Sequence, residues 1–389
     1  MTLPANATRL PHTVSDRPFD PEAIYQFTDA QKQLFEASQR RLMWWKFRRH
    51  KPALISGIFL GILYISILFS EILAPYNLET RNSKFIYAPP QRIHLMHDGQ
   101  FIGPFVYGFD YKLNMQNLKR EYVPDPNKVQ PLRFFCSGET YKFWGLIEGS
   151  FRIVCPAKDG TFFFMGTDRL GRDVFSRIIY GARISLTIGL LGVGVSLVLG
   201  IVIGGLAGYY GGLFDTLSQR LIEVIQSLPS IPLWLALAAI LPITWSPIVV
   251  YFGITVILGL LDWTGLARTV RSKLLALREE DYVSAAQVMG ASDRRIVFRH
   301  LVPGFASHLI ATATIAIPTM ILGETTLSFL GLGLRAPITS WGVLLTEAQN
   351  INAVALYPWL LWPVVPVILV VLAYNFFGDG LRDAADPYK

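Results

Sequence analysis

The sequence contains few cysteines and few charged residues for its length. Of its 389 residues, two are cysteine, 16% are charged and 52% are hydrophobic, whereas an average soluble domain carries about 25% charged residues. The mean hydropathy is +0.38. These values argue against a soluble enzyme and indicate a chain that crosses a membrane several times. The net charge of +7 need not imply a nucleic-acid partner, because basic residues also gather in the cytoplasmic loops of membrane proteins.

Catalytic and nucleotide-binding motifs are missing as well. The chain has no GxxxxGK[ST] phosphate loop and no Gly-Lys pair at all, so it cannot bind ATP phosphates by that route. HExxH and GxSxG are absent, and the six histidines are scattered. We therefore expect no catalytic residue, no metal site and no cofactor bound by this chain.

Long apolar windows predict the membrane spans, each of which needs about 20 apolar residues. Windows of this kind are 52–70, 184–214, 224–261, 301–323 and 348–378. The third window is too long for one span, and Pro242 and Pro247 divide it in two, with a hairpin near Thr244. The prediction is an all-α membrane protein with six transmembrane helices. The first window is too long for a cleaved signal peptide and is read as a retained span.

The distribution of basic residues predicts the orientation. Six of them cluster directly before the first span, namely Arg40, Arg41, Lys46, Arg48, Arg49 and Lys51. Basic residues favour the cytoplasmic side, so both termini and the loop 266–302 are predicted to be cytoplasmic. The predicted domains are an N-terminal tail (1–51), helix 1 (52–74), an outer insert with the approach to helix 2 (75–182), the core of helices 2–6 (183–378) and a C-terminal tail (379–389).

The outer insert is rich in aromatic and turn residues and shows alternation typical of short strands. A small mixed α/β or β-rich unit is therefore predicted outside the membrane. Cys136 and Cys155 both lie in it, and an oxidising compartment favours a disulfide between them. That bond would stabilise the insert by roughly 3 kcal/mol. Two unpaired thiols are the alternative.

A polar segment (281–303) interrupts the apolar core. Its first part propagates helix, Gly290 is suited to end that helix, and Ser292 can cap a second one that begins with Asp293. The small residues Ala285 and Ala286 leave a surface without protruding side chains, which a partner could approach closely. A docking surface and an ordinary solvated loop are both compatible with this pattern.

This polar segment resembles the EAA loop of ABC-importer permeases, a Glu-Ala-Ala, Gly and Leu-Pro pattern. The matching positions are Ala285, Ala286, Gly290, Leu301 and Pro303, and Ser284 stands where the family often has Glu. The stretches 165–186, 323–349 and 378–387 resemble the dipeptide/oligopeptide/nickel permeases, in the second of their paired subunits. The long insert is similar to that of Yej-type peptide permeases.

The resemblance implies the MetI-like fold of type I ABC importers in the bacterial inner membrane. The expected partners are a paralogous permease subunit, two ATPase subunits that hold ATP and Mg, and a periplasmic solute-binding protein. The resemblance places the ATPase contact on the matched positions, to which the charged residues Asp293, Arg294 and Arg295 are added.

Other residues are candidates for the translocation path or its gate. Glu324 is an ionisable group near the outer end of a span, where such groups usually face protein or water; a packing or salt-bridge role is equally open. Pro229 and Pro232 should kink the third span. Gly200 and Gly204 form a GxxxG pattern that allows close helix contact or a flexible pore wall. Three arginines before the second span, Arg172, Arg177 and Arg183, could contact a binding protein or lipid headgroups.

Two other classes of function remain open at this stage. An ion-coupled secondary transporter would need buried ionisable residues within the membrane and often internal repeats, and we find neither pattern clearly. A membrane sensor would use the insert to bind ligand. The substrate is also open among peptides, nickel, opines and oligosaccharides.

Overall fold

The computed structural model describes residues 37–115, 119–242 and 244–385. Most of the predicted N-terminal tail, residues 1–36, and the last four residues of the C-terminal tail lie outside this range. A first helix, α1 (Gln39–Arg49), leads into the first span, α2 (Lys51–Leu68). The side chain of His50 accepts a hydrogen bond from the Ala53 amide at the start of α2, and the short α3 (Ser70–Leu73) follows the span.

The insert is β-rich where the structure describes it. Three strands, β1 (His94–His97), β2 (Gln100–Asn114) and β3 (Lys119–Pro131), form an antiparallel sheet. A separate antiparallel hairpin consists of β4 (Arg133–Phe143) and β5 (Ile147–Cys155). A disulfide joins Cys136 in β4 to Cys155 in β5, with the two Cα atoms 6.3 Å apart.

The second span is the longest helix. It is α4 (Val174–Tyr210), with 37 residues, and it begins well before the apolar window predicted from 184. Asp173 explains the earlier start, because its side chain accepts a hydrogen bond from the Ser176 amide and caps the helix. Gly211, with φ +67°, ends it.

The third predicted span is not a straight helix. Its region folds as α5 (Gly212–Ser227) and α6 (Ser230–Ala239), which meet at an angle of 90°. Leu228 between them is extended (φ −90°, ψ 137°), because a residue that precedes proline avoids the helical region, and Pro229 follows. The described chain thus has five helices long and apolar enough to span a membrane, or six if this bent pair counts as one span.

The fourth span continues far beyond its apolar window. Helix α7 (Pro247–Leu277) has 31 residues, so the amphipathic stretch after residue 261 is part of the same helix. The polar segment then contains α8 (Asp281–Val288), α9 (Asp293–Arg295), a π-helix (Ile296–Leu301) and α10 (Val302–Gly304).

The last two spans are α11 (Ala306–Phe329) and α14 (Val364–Ala385). The final window was predicted to begin at 348, but its first part forms short helices. Helix α12 (Trp341–Leu345) precedes the window, which begins within a 3-10 turn (Thr346–Gln349) and continues with α13 (Ile351–Leu356) and a second 3-10 turn (Pro358–Leu361). Asn350 caps α13, and Pro358 and Pro363 punctuate the region, so it cannot continue as one helix. The main core lies between α2, α4, α6, α7, α11 and α14.

Candidate functional site

The polar segment is held on the C-terminal end of α7 by a small apolar core. Val283 and Ala286 of α8 are buried against a cluster that includes Val270 and Leu274 of α7. Leu301 of the π-helix is fully buried in the same cluster. Ala286 and Leu301, both predicted as partner contacts, therefore face inward and fix the segment to α7.

Gly290 ends α8 as predicted, through its backbone conformation. Its φ is +76°, and a Cβ placed there would meet no atom within 4 Å. Glycine is favoured here because other residues adopt positive φ at a cost of about 1–2 kcal/mol. Ser292 stands at the start of α9 with an extended backbone, but its side chain makes no capping hydrogen bond.

The face of α8 directed away from α7 carries small residues in its middle and apolar residues at its end. Ser284 and Ala285 are exposed, and beside them Val288 and Met289 are 90% and 80% exposed. Sequence reasoning passed over these last two residues. Their exposure could not be predicted from the sequence, because an apolar residue at the end of a helix can be buried or exposed; neighbouring exposed apolar side chains can mark an interaction surface.

The charged end of the segment is also exposed, and one of its residues is tied to the core helices. Asp293, Arg294 and Arg295 are exposed. The hydroxyl of Tyr209, at the end of α4, donates to Asp293 Oδ1 at 2.9 Å. Asp293 thus connects the segment to the second span. Pro303 is exposed in α10. Phe305 is not helical and separates α10 from α11.

Gly200 and Gly204 lie in a close contact between α4 and α7. A Cβ on Gly200 would stand 2.7 Å from Leu266 Cβ, and one on Gly204 would stand 2.3 Å from the carbonyl oxygen of Ala267. Gly208 continues the row, at 2.8 Å from the oxygen of Arg271. Both predicted glycines are buried, so the structure supports helix packing and gives them no pore surface.

A cavity of about 480 Å³ lies at the bend between α5 and α6. Pro229 and Pro232 are exposed beside it, at the start of α6. Its polar lining consists of Gln226, Ser230, Asp262 and Thr264. Asp262 is half-buried and makes no hydrogen bond or ion pair within the described chain. The sequence analysis missed it because the residue follows the uncharged window directly.

Glu324 is fully buried near the C-terminal end of α11. Its carboxylate accepts hydrogen bonds from the hydroxyls of Ser185 (3.3 Å), Ser328 (2.7 Å) and Ser340 (2.6 Å). It forms no ion pair with any described residue. Of the two roles left open, the buried hydrogen bonds favour packing over a residue exposed at a gate.

The three serines around Glu324 also receive backbone hydrogen bonds. The amides of Leu334, Trp341 and Val343 donate to Ser328, Ser185 and Ser340 respectively. Each hydroxyl therefore accepts from the backbone of the 334–343 segment while its own hydrogen points to the carboxylate. Glu324 in this way holds that segment onto α4 and α11.

Two ion-pair groups lie at the N-terminal end of α4, and they correct the expectation for the three arginines. Arg177 is buried and bonds to the buried Asp168, to which Arg172 also donates, at 2.7 Å. Arg183 pairs with both carboxylate oxygens of Glu71, at 2.7 and 2.8 Å. These side chains are occupied within the chain and are not free for a binding protein or for headgroups.

The pKa values of three acidic residues near the start of α4 shift in different directions. Burial would raise the pKa of the Glu71 carboxyl, but hydrogen bonds and attraction from Arg183 outweigh it and keep that pKa below its usual value. Burial raises the pKa of the Asp173 carboxyl to about 7, although Ser176 donates two hydrogen bonds to it. Burial also raises the pKa of Glu347. Within the described residues, no cluster of three or more His, Cys, Asp or Glu could hold a metal ion.

Comparisons with known proteins agree with this architecture. Residues 200–388 match the family described as "binding-protein-dependent transport system inner membrane component". Residues 38–90 match the "N-terminal TM domain of oligopeptide transport permease C". Most of the insert lies between the two matched ranges.

Individual relatives are similar over more than half of the chain. The oligopeptide transport system permease protein OppC of Bacillus subtilis is 37% identical over 233 residues, which are 60% of this chain and 73% of that protein. The dipeptide transport system permease protein DppC of Alkalihalophilus pseudofirmus is 40% identical over 58% of this chain and 71% of its own length. The glutathione transport system permease protein GsiD of Pectobacterium atrosepticum is 40% identical over 58% and 72%.

A solved structure of the MetNI methionine ABC transporter, in an inward-facing conformation, covers 55% of this chain and 97% of its own, with 19% identity and a TM-score of 0.42. The family and relative matches confirm the resemblance found in the motifs. The chain therefore belongs to the oligopeptide and dipeptide permeases of the binding-protein-dependent ABC importers.

Proposed function

We propose that this permease forms one half of a heterodimeric translocation pathway for peptides, and that an ATPase subunit docks on its polar segment (281–303). The exposed apolar pair Val288 and Met289, next to the turn at Gly290, carries the proposal. The opposite side of α8 is buried on α7, so this pair is directed away from the permease core. A partner that covers it would remove two large apolar side chains from water.

In this proposal the chain itself performs no chemistry. ATP and Mg bind to two partner ATPase subunits, since this sequence contains no phosphate loop. The second permease subunit is a paralogue, and an external solute-binding protein delivers the substrate. Both termini and the polar segment face the cytoplasm, in accordance with the basic residues before α2.

We infer that the cavity at the α5–α6 bend belongs to the translocation path. It is lined by both halves of the broken span and by α7. An interrupted helix exposes backbone groups at membrane depth, which is tolerated where it lines a cavity or is buried in protein. The exposed Pro229 and Pro232 would then shape the path, while Gly200 and Gly204 hold α4 against α7.

The docking proposal is tested by placing a charge in the apolar pair. Met289→Asp should reduce co-purification of the ATPase subunits and abolish ATP-dependent peptide uptake. Ile351→Asp is the matched control, because Ile351 is similarly exposed, at 82%, but lies on α13, far along the chain from the polar segment. Full retention of the ATPase subunits by both Met289→Asp and Val288→Asp would contradict the docking site.

A further inference from the structure

The turn between β4 and β5 presents large apolar side chains to the exterior. Leu146 and Ile147 are 84% and 67% exposed, and Trp144 beside them is about half exposed. A contiguous exposed apolar group of this kind marks a surface that binds an apolar partner.

Trp144 is an unusual residue for the backbone conformation of this turn. Trp144 and Gly145 have φ of +51° and +74°, and the Leu146 amide donates to the Phe143 carbonyl at 3.0 Å. Two successive residues with positive φ in a hairpin turn are usually Asn-Gly or Asp-Gly. A bulky tryptophan is disfavoured there, so the requirements of the turn do not explain Trp144.

Contacts to the first span explain where the tryptophan lies. Its indole Nε1–H donates to the carbonyl of Leu68 at 3.1 Å, and Leu68 is the last residue of α2. The ring of Phe143 stacks with that of Phe69, with centroids 6.3 Å apart. The turn is therefore level with the end of a membrane-spanning helix.

The part of the hairpin farther from the turn contacts residues that come after the first span in the sequence. Arg152 of β5 donates to Asn77 Oδ1 at 2.5 Å, and Glu139 of β4 accepts from the Thr80 hydroxyl at 2.6 Å. Residues nearer the turn thus contact 68–71, while residues farther from it contact 71–80, since Arg152 also donates to the carbonyls of Glu71 and Ala74. This order of contacts points the turn toward the bilayer and the open end of the hairpin away from it.

We propose that Leu146 and Ile147 insert into the lipid leaflet on the insert side of the membrane, with Trp144 at the boundary between headgroups and acyl chains. Tryptophan prefers this boundary because its ring is apolar and its N–H is polar. Arg183 lies over the Trp144 ring, 4.2 Å from its centroid, while it pairs with Glu71. These contacts hold the turn at a fixed position beside the end of α2. Insertion of Leu146 and Ile147 would then attach the insert to the membrane surface next to the transport core.

The test places a nitroxide label on Leu146→Cys in the full complex, reconstituted in liposomes of phosphatidylethanolamine and phosphatidylglycerol. Cys136 and Cys155 are joined to each other, so the new thiol is the single labelling site of this chain, which is combined with cysteine-free partner subunits. Met115→Cys is the control. Met115 is 77% exposed at the end of the β2–β3 hairpin, where Arg120 bonds to the carbonyl of Ser83, farther along the chain from the span.

The expected result is a several-fold higher ratio of collisions with oxygen to collisions with a water-soluble nickel complex at position 146 than at position 115. Equal access of the nickel complex to both labels would overturn the proposal, because the turn would then lie in water. Shielding of the label at 146 from both reagents would overturn it too, because a protein partner would then cover the turn.

Discussion

The hydroxyl of Tyr209 and the carboxylate of Asp293 join the last turn of α4 to the polar segment, at 2.9 Å. We expect Tyr209→Phe to weaken this connection by about 0.5–1.5 kcal/mol, the usual net value of one hydrogen bond. ATPase subunits should still bind, while peptide uptake per ATP hydrolysed should fall. Both quantities are measured in proteoliposomes, with Tyr111→Phe on the insert as control. Unchanged coupling would exclude this bond from transmission.

Replacement of Gly290 should strain the end of α8. Gly290→Ala introduces a Cβ into open space, so the expected cost of about 1–2 kcal/mol comes from the positive φ alone. Gly304→Ala is a matched control, since Gly304 is also surrounded by open space and has no positive φ. Hydrogen exchange of the 281–295 amides should rise in the first variant only. Equal exchange in both would show that the conformation of Gly290 is not essential.

Removal of the charge from Glu324 should loosen the segment that contains residues 334–343. Glu324→Gln replaces one acceptor oxygen by an NH₂ donor, which faces a serine hydroxyl that already donates, and leaves a buried group unsatisfied at about 1–3 kcal/mol. We expect a lower melting temperature and faster proteolysis after residue 330. The exposed Glu223, paired with Arg220, gives the control Glu223→Gln. Equal stability of the two variants would refute a structural role for Glu324.

The contact between α4 and α7 should not tolerate a methyl group. A Cβ on Gly204 would lie 2.3 Å from the Ala267 oxygen, and overpacking of this kind costs typically 1–3 kcal/mol. Gly204→Ala should therefore lower the melting temperature of the detergent-solubilised protein by several degrees. Gly194→Ala, on the same helix but with nothing within 4 Å, should leave it unchanged. A normal melting temperature for Gly204→Ala would mean that the two helices separate easily.

Asp173 should make stability depend on pH. Its folded pKa of about 7 lies above the usual carboxyl value of about 3.9, so the folded chain binds the extra proton. Stability should therefore fall as pH rises from about 4 to about 7 and be level above that. Asp173→Asn keeps an oxygen for the Ser176 amide and should flatten this part of the profile. Identical profiles for both proteins, measured by thermal unfolding, would contradict the shift.

Much of this architecture could be predicted from sequence. The apolar windows located the helices because a span needs a minimum length of apolar residues, and Gly290 marked the turn because few residues other than glycine adopt positive φ. Hydropathy gives no information, however, about where an apolar stretch bends or at what angle two helices meet. It could not show that α5 and α6 meet at 90°, nor that the region from 348 to 361 folds as short helices.

The polar contacts were the least predictable part. Arg177 and Arg183 were read as surface residues because their partners, Asp168 and Glu71, stand elsewhere in the sequence and meet them only after folding. Ser185 and Ser340 could not be assigned to Glu324 for the same reason, whereas Ser328 lies one helical turn from it. The exposure of Val288 and Met289 was likewise not predictable, because the sequence does not show which face of α8 packs on α7.

The continuity of α4 has a mechanical consequence. In its N-terminal half, Ser185 bonds to Glu324, and at its C-terminal end Tyr209 bonds to Asp293. These two residues are 24 positions apart, or about 36 Å along an α-helix. The helix can therefore act as a lever arm, in which a tilt of about 5° would move one end by about 3 Å relative to the other. Because Gly200, Gly204 and Gly208 bring α4 and α7 into backbone contact, both helices would have to swing together.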